Sequence, residues 1–195
     1  MTKGTDTREK IIEQAATLFN TKGYSASSIN DVMEATGLKK GGIYNHFESK
    51  DDLACKAFDY AVKIAGEKLL SRVEAGDNAK GRLFAVIDHF QSLPDNPALP
   101  GGCPLMNTAI ESDDAYPLMQ KKVQKAFDRF QQLVEKLAAE AIEQKQIDTD
   151  LKPEEISILM ISTLEGALML SKVQNTSVPL KIAGEHLRKL LNKGG

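Results

Sequence analysis

One short segment of the chain carries side chains suited to hydrogen bonding with nucleic acid. Lys40 can donate to the O6 and N7 atoms of guanine, and Asn45 can form a bidentate pair with adenine. Ser28, Tyr44 and Lys50 can bind phosphate groups, which fix the register of a protein on a duplex without reading its sequence. These residue types at this spacing predict contact with the major groove of DNA.

Two short helices joined by a turn would position these side chains. Ser28 followed by Asp31 is typical of the capping box that starts a helix. Gly37 can supply the left-handed residue that ends this first helix. The second helix is expected to begin at Lys39 or Lys40, so the segment predicts a helix-turn-helix.

The second helix has one apolar face and one polar face. Ile43 and Phe47 are four residues apart and share the face that packs on the first helix. The opposite face is turned outward, where a glycine also allows close approach to DNA. The predicted DNA contacts are Ser28, Lys39, Lys40, Gly41, Gly42, Tyr44, Asn45, His46 and Lys50. The alternative interpretation is a plain helical hairpin with a solvated, charged face.

The same segment contains a longer pattern, Gly37-Leu38-Lys39-Lys40-Gly41-Gly42-Ile43-Tyr44-Asn45-His46-Phe47, followed by Ser49-Lys50-Asp51-Asp52-Leu53. Over roughly residues 5–55 the sequence resembles the TetR family of bacterial transcriptional regulators. A Gly-Gly-Cys-Pro-Leu run at 101–105 is similar to one found in a subset of that family. The resemblance implies a homodimer on a palindromic operator, usually a repressor, released by a small molecule bound in the C-terminal domain.

Two residues of the second helix depart from the family pattern. Lys39 stands where the family usually has a Ser or Thr N-cap, and the loss of such a cap costs about 1 kcal/mol. Gly42 stands where a small side chain is usual, and each interior glycine costs about 1 kcal/mol relative to alanine. We therefore predict that this helix is marginal in the free protein and settles on DNA.

Charge and composition favour a DNA-binding regulator over an enzyme. The 195-residue chain has a formal net charge of −2, but residues 1–50 carry a net +1 and the remainder a net −3. Its two cysteines and three histidines are scattered, with no metal-ligand spacing and no catalytic set. We expect no enzymatic activity, no cofactor and no metal. No signal peptide or membrane-spanning segment is apparent, so we expect a cytoplasmic protein.

Hydrophobic periodicity predicts an all-α fold of about nine helices. A linker helix over 50–75 is followed by a helix at 79–92, a Pro- and Gly-rich loop, and a short helix at 103–111. Further helices are expected at 116–144, 153–174 and 178–192. We predict a three-helix DNA-binding domain at 1–50 and a helical-bundle domain for effector binding and dimerisation at 51–195.

The predicted helix at 154–174 is apolar on nearly all sides, which requires burial on both faces. One face can belong to the domain core, and the other then needs a partner. A four-helix interface across a two-fold axis would use this helix with the last one, through Leu180, Ile182, Leu187, Leu190 and Leu191. The alternative is a fully internal helix of a monomer.

The C-terminal domain is also expected to hold the effector. Methionine and aromatic side chains suit an apolar ligand, although the same residues can be plain core. The predicted pocket residues are Phe84, His89, Phe90, Cys103, Met106, Phe127, Phe130, Met160, Glu165 and Met169. Glu165 can pair with a ligand or a cation, or it can cap the dimer seam.

Cys103 supports an alternative function. It lies near a predicted helix N-terminus, a position that favours the thiolate and suits a sensor of electrophiles or oxidants. The other interpretation of Cys103 is a small buried hydrophobic residue. A non-DNA, ligand-binding protein on the same fold is a further alternative.

Overall fold

The structure, a computed structural model, describes residues 3–112 and 116–192, with side chains from Asp6 onward. Within these residues the chain is all-α, and its only β-type pairing is an isolated bridge between Asp148 and Asn192. The helices are α1 Lys3–Lys22, α2 Ile29–Thr36, α3 Lys40–Tyr44, α4 Lys50–Glu74, α5 Ala79–Ser92, α6 Pro104–Glu111, α7 Pro117–Glu143, α8 Pro153–Gln174 and α9 Val178–Leu190. The predicted fold class and the predicted order of the helices are confirmed.

Local capping residues explain several of these helix boundaries. The Oγ of Ser49 accepts a hydrogen bond of 3.0 Å from the N–H of Asp52, which closes the first turn of α4. Pro104 and Pro153 occupy the first positions of α6 and α8, where the missing N–H costs no hydrogen bond. Asn78 caps α5 through its side chain, which accepts 2.8 Å from the N–H of Gly81.

The chain forms two compact units, Met1–Ala65 with Ala98–Val123, and Gly66–Pro97 with Gln124–Gly195. The first unit therefore includes α6 and the start of α7 together with α1, α2 and α3. Its core is built mainly on α1 and α4, with one residue from the loop before α6. The buried residues of this core are Ile11, Ile12, Ala15, Ala16, Val32, Ile43, Phe47, Leu53, Ala57, Ala61 and Leu99.

The second unit is a bundle in which α8 and α9 pack on each other and on α5. α8 buries Ile156, Met160 and Leu164 completely or nearly so. α8 also has the length and hydropathy of a membrane-crossing helix, and 44% of its most apolar 18-residue stretch is buried within the protein. A core helix of a globular domain meets the same criteria.

The other face of α8 is left exposed by the residues that the structure describes. The exposed apolar residues of α8 are Ile158, Leu159, Met169, Leu170 and Val173. By contrast, Leu180 and Leu187 of α9 and Leu191 directly after it are at most 2% exposed inside the unit. Their predicted place in an intermolecular interface is therefore wrong, because their side chains already fill the core of their own chain.

Candidate nucleic-acid interface

α2 is held at both ends by the contacts that the sequence predicts. The N–H of Asp31 donates 3.2 Å to the Oγ of Ser28, and the N–H of Ser28 donates 2.6 Å to the carboxylate of Asp31. Both halves of the capping box are thus present. At the other end Gly37 has φ 72°, and its N–H donates 2.9 Å to the carbonyl of Met33. The capping box and the left-handed cap are confirmed.

The carboxylate of Asp31 also ties α2 to the end of α1. The ammonium of Lys22 donates to it at 2.5 Å. This hydrogen bond, with those from Ser28, holds the pKa of Asp31 well below its usual range. α2 therefore starts at a fixed point relative to α1, against which it packs.

α3 is short and lacks a side-chain cap. Lys39 precedes it in an extended conformation, φ −78° and ψ 159°, with no side-chain hydrogen bond to the helix. The helix is anchored instead by packing, because Ile43 is 1% exposed and Phe47 beyond it is 2% exposed. The guanidinium of Arg8 lies 5.3 Å from the centroid of the Phe47 ring. Both the missing cap and the buried face agree with the sequence prediction.

Most of the predicted DNA contacts lie on the outward face of α3 or directly beside it. Lys39, Lys40, Gly41, Tyr44 and Asn45 are exposed. The ammonium of Lys40 lies 5.8 Å from the centroid of the Tyr44 ring, so these two side chains share one surface. Gly42 and His46 are half-buried at the edge of this face.

Two of the predicted phosphate ligands have partners within the protein. The ammonium of Lys50 donates 2.8 Å to the carbonyl of Tyr24 and lies 4.0 Å from the centroid of its ring. Burial lowers the pKa of Lys50. The hydroxyl of Ser28 donates 2.6 Å to Asp31 as part of the capping box. In this structure Lys50 and Ser28 organise the loop before α2, while Tyr44 remains exposed.

Tyr24 is a residue whose role the sequence reasoning missed. Its hydroxyl donates to the carboxylate of Asp51, and its ring meets those of Phe19 and Tyr116 edge-to-face at 5.7 and 4.9 Å. Burial and the hydrogen bond to Asp51 raise its pKa. Tyr24 thereby connects the loop before α2 to α1, α4 and the start of α7. The only sequence signal was its place after Gly23 at the end of α1.

The predicted effector residues divide between the two units. Cys103 and Met106 belong to the first unit, and the other eight belong to the second. Phe90 and Phe130 stack with their centroids 6.1 Å apart. Glu165 is buried at 9% exposure, whereas Met169 is 45% exposed.

The remaining predicted effector residues are mostly packed within the second unit. His89 and Met160 are buried, and Phe127 is half-buried. The ring of Phe84 is half-buried, with the guanidinium of Arg188 at 5.1 Å from its centroid. Phe90 and Phe130 are therefore in contact, and the effector pocket formed by all ten residues stays a prediction.

The two cysteines are buried thiols. Cys103 is the N-cap residue of α6 and is 9% exposed, which limits the access of an electrophile to its sulfur. Burial raises the pKa of Cys55, the direction that makes a thiol less reactive. In the described part of the chain no group of three His, Cys, Asp or Glu side chains is placed to hold a metal ion.

A cavity of about 220 Å³ lies within the first unit. It is lined by residues of α1, α4, α6 and the start of α7, and none of the predicted effector residues lines it. No local pattern of residues predicts this cavity, because its walls come from segments far apart along the chain.

The segment that contains α1, α2 and α3, called the head below, thus has the geometry of a helix-turn-helix DNA-binding domain. Similarity to known proteins identifies the family. Residues 11–55 match the family described as bacterial regulatory proteins, tetR family. Residues 79–187 match the tetracyclin repressor-like C-terminal domain. The chain therefore belongs to the TetR family of bacterial transcriptional regulators, as the resemblance in the sequence implied.

Individual relatives match this chain over at least 90% of its length. The crystal structure of a TetR transcriptional regulator from Chloroflexus aurantiacus J-10-FL superposes with a TM-score of 0.91 at 41% identity, over 96% of this chain and 94% of that chain. An HTH-type transcriptional regulator of Mycobacterium tuberculosis is 29% identical over 94% of this chain and 93% of its own length. The HTH-type transcriptional repressor DhaR of a Mycobacterium species is 24% identical over 90% of this chain and 87% of its own length.

Proposed function

We propose that this protein is a homodimeric repressor that binds a palindromic operator and is released from it by a small molecule. The observation that carries the proposal is the exposed face of α3, where Lys40, Tyr44 and Asn45 stand together on a helix anchored by Ile43. A helix presented in this way fits the major groove. The repressor named DhaR, similar over most of the chain, favours repression over activation.

Base reading is assigned to three side chains. Lys40 is suited to guanine and Asn45 to adenine, while Tyr44 contacts a phosphate or a base edge. Gly41 carries no side chain at the exposed surface, so the helix backbone can approach the duplex closely. The half-buried position of Gly42 makes it a supporting residue rather than a reader.

The uncovered face of α8 supports a homodimer. Ile158 and Val173 are 50% and 80% exposed, and they lie on a stripe of α8 that also contains Met169. Gly166 is on the same stripe, and a Cβ built there would meet no atom within 4 Å, so a second helix can approach closely. Ile182 of α9 is 63% exposed. Apolar area of this extent on a regulator is best explained by a second copy of the chain.

A two-fold dimer would also explain how the protein reads DNA. Two copies of α3 related by a two-fold axis contact successive major grooves when their half-sites lie about one DNA turn apart. In this arrangement residues 1–50 bind DNA and residues 51–195 provide dimerisation and effector binding. The bacterial chromosome lies in the cytoplasm, so the protein acts there. Regulation by binding to an operator requires no catalysis.

The test is a selection of bound duplexes from a random pool at stated salt, with wild type, Lys40→Ala/Tyr44→Ala and Lys125→Ala. Lys125 is an exposed lysine of α7 outside the DNA-binding head and serves as the matched control. We expect wild type and the control to enrich the same palindrome, and the double variant to enrich nothing. Enrichment of that palindrome by the double variant, or of no sequence by wild type, would refute the proposed reading.

A further inference from the structure

The cavity of the first unit has an apolar floor of small side chains. Ala16 of α1 and Ala54 and Ala57 of α4 line it, together with the ring of Phe58. All four side chains are at most 6% exposed, so this floor is part of the packed protein. An apolar cavity of roughly 150 Å³ can hold benzene. A cavity of about 220 Å³ therefore has room for one substituted aromatic ring.

The rim of the cavity is acidic and aromatic. Asp51 accepts a hydrogen bond from the hydroxyl of Tyr24, and Glu111 accepts one of 3.0 Å from the N–H of Ser25. Both carboxylates line the cavity, as do the rings of Tyr24 and Tyr116. Carboxylates attract a cation directly, and aromatic rings attract one through their electron-rich faces.

Cationic side chains of the protein do not fill this site. No Lys, Arg or His is among the described residues that line the cavity. Lys50 lies on the ring of Tyr24 but outside the lining, and Lys122 pairs with Asp59 at 2.7 Å. The charge of Lys50 still acts on both Asp51 and Glu111, so it offsets one of these two lining carboxylates. The single negative charge that remains favours a ligand with one positive charge.

We propose that this cavity binds a small organic cation with a single aromatic ring, and that its occupancy lowers the affinity for DNA. The second half of this inference rests on the proposed repressor function. The ring would lie on the alanine floor, and the ammonium would face Asp51 and Glu111. An aromatic carboxylate of the same size would be excluded by these two charges.

The cavity adjoins a set of hydrogen bonds that joins α1 to α6. The side-chain amide of Asn20 donates 2.7 Å to the carbonyl of Pro100, and that of Asn107 donates 2.9 Å to the Oδ1 of Asn20. Asn107 also donates 2.9 Å to the carbonyl of Gly101. A Cβ at Gly101 would lie 2.2 Å from the carbonyl oxygen of Asn20, and its φ is +102°. This close approach explains why the loop before α6 needs glycine.

Asn20 and Asn107 also line the cavity, so an occupant touches the residues that hold α6 on α1. α1 packs on α2, and α2 packs on α3. A change in the hydrogen bonds between α1 and α6 would therefore alter the position of α3, the DNA-binding helix. The contacts thus connect the ligand site to DNA binding entirely within the first unit.

The first experiment measures binding of phenethylamine and of 3-phenylpropionate to the full chain by titration calorimetry, without DNA. The variants are Asp51→Asn/Glu111→Gln, Thr108→Trp, which adds a large ring at a lining position, and the control Glu74→Gln at an exposed carboxylate. We expect saturable binding of the amine to wild type and to the control, and none of the carboxylate. Because each charge-assisted hydrogen bond contributes about 1.5 kcal/mol, which is about tenfold in affinity, the double variant should bind about a hundredfold more weakly.

The second experiment measures operator affinity of the same proteins with and without saturating phenethylamine. Weaker operator binding in wild type, abolished in Thr108→Trp, would support the proposal. Three outcomes would overturn it: no saturable binding of the amine, equal binding by the double variant, or binding without a change in operator affinity. Failure to bind any operator would instead refute the repressor function, and the calorimetry would still test the ligand site.

Discussion

Replacement of Gly42 by alanine should stabilise α3 and strengthen DNA binding. α3 has five residues, two of them glycine, and it begins without a side-chain cap. A Cβ at Gly42 would lie 3.7 Å from the Cβ of Leu38, which is ordinary van der Waals contact. The substitution should therefore gain about 1 kcal/mol of helix stability without strain.

This gain can be followed by hydrogen exchange and by DNA affinity. An extra 1 kcal/mol corresponds to about fivefold slower exchange of the amides of residues 40–46 through local opening. If the helix orders fully only on DNA, each head should also bind up to about fivefold more tightly, because less ordering is needed. Fluorescence anisotropy with the selected operator at fixed salt measures the second effect.

Two glycine variants serve as controls. A Cβ at Gly41 or at Gly66 of α4 would meet no atom within 4 Å, so alanine should stabilise either helix by about 1 kcal/mol. Gly41 faces outward, so its methyl group should obstruct the duplex and weaken binding. Gly66→Ala should leave exchange in α3 unchanged. Unaltered exchange in Gly42→Ala, or equal gains in DNA affinity for Gly41→Ala and Gly42→Ala, would refute the reasoning.

Three further perturbations test other parts of the structure. Lys40→Ala should cost about 1–3 kcal/mol of operator binding and relax the preference at one base position, which a repeated selection would detect. Val173→Asp places a carboxylate on the most exposed apolar residue of α8 and should convert dimers to monomers in sedimentation equilibrium; unchanged mass would exclude this face as the interface. Burial lowers the pKa of His89 to about 4. The unfolded chain binds a proton at this histidine below about pH 6.5, whereas the folded chain binds one only near pH 4. Between pH 7 and 4.5 this difference at His89 should lower the free energy of unfolding by about 2–3 kcal/mol. A pH series of urea unfolding should therefore show a smaller fall in His89→Gln than in wild type.

Local interactions in the sequence determined the helices and the helix face that carries the predicted DNA contacts. The capping box at Ser28, the left-handed Gly37 and the proline at the start of α8 each act within a few residues, so their effect can be read along the chain. The buried side of α3 follows from helical spacing alone, because Ile43 and Phe47, which follows the helix, are four residues apart and both are buried. These features, with the family pattern, were enough to predict a helix-turn-helix regulator.

Only the tertiary structure decided which neighbour each face meets. Periodicity marked the leucines of α9 as apolar, but it could not show that Leu180 and Leu187 pack inside their own chain while Ile182 stays exposed. The sequence predicts that Lys50 binds a phosphate, and only the structure shows that its ammonium donates to the carbonyl of Tyr24, 26 residues away. The cavity depends on α1, α4 and α6 meeting around small alanines. Contacts between distant segments arise from packing of the whole unit, so no local pattern of residues encodes them.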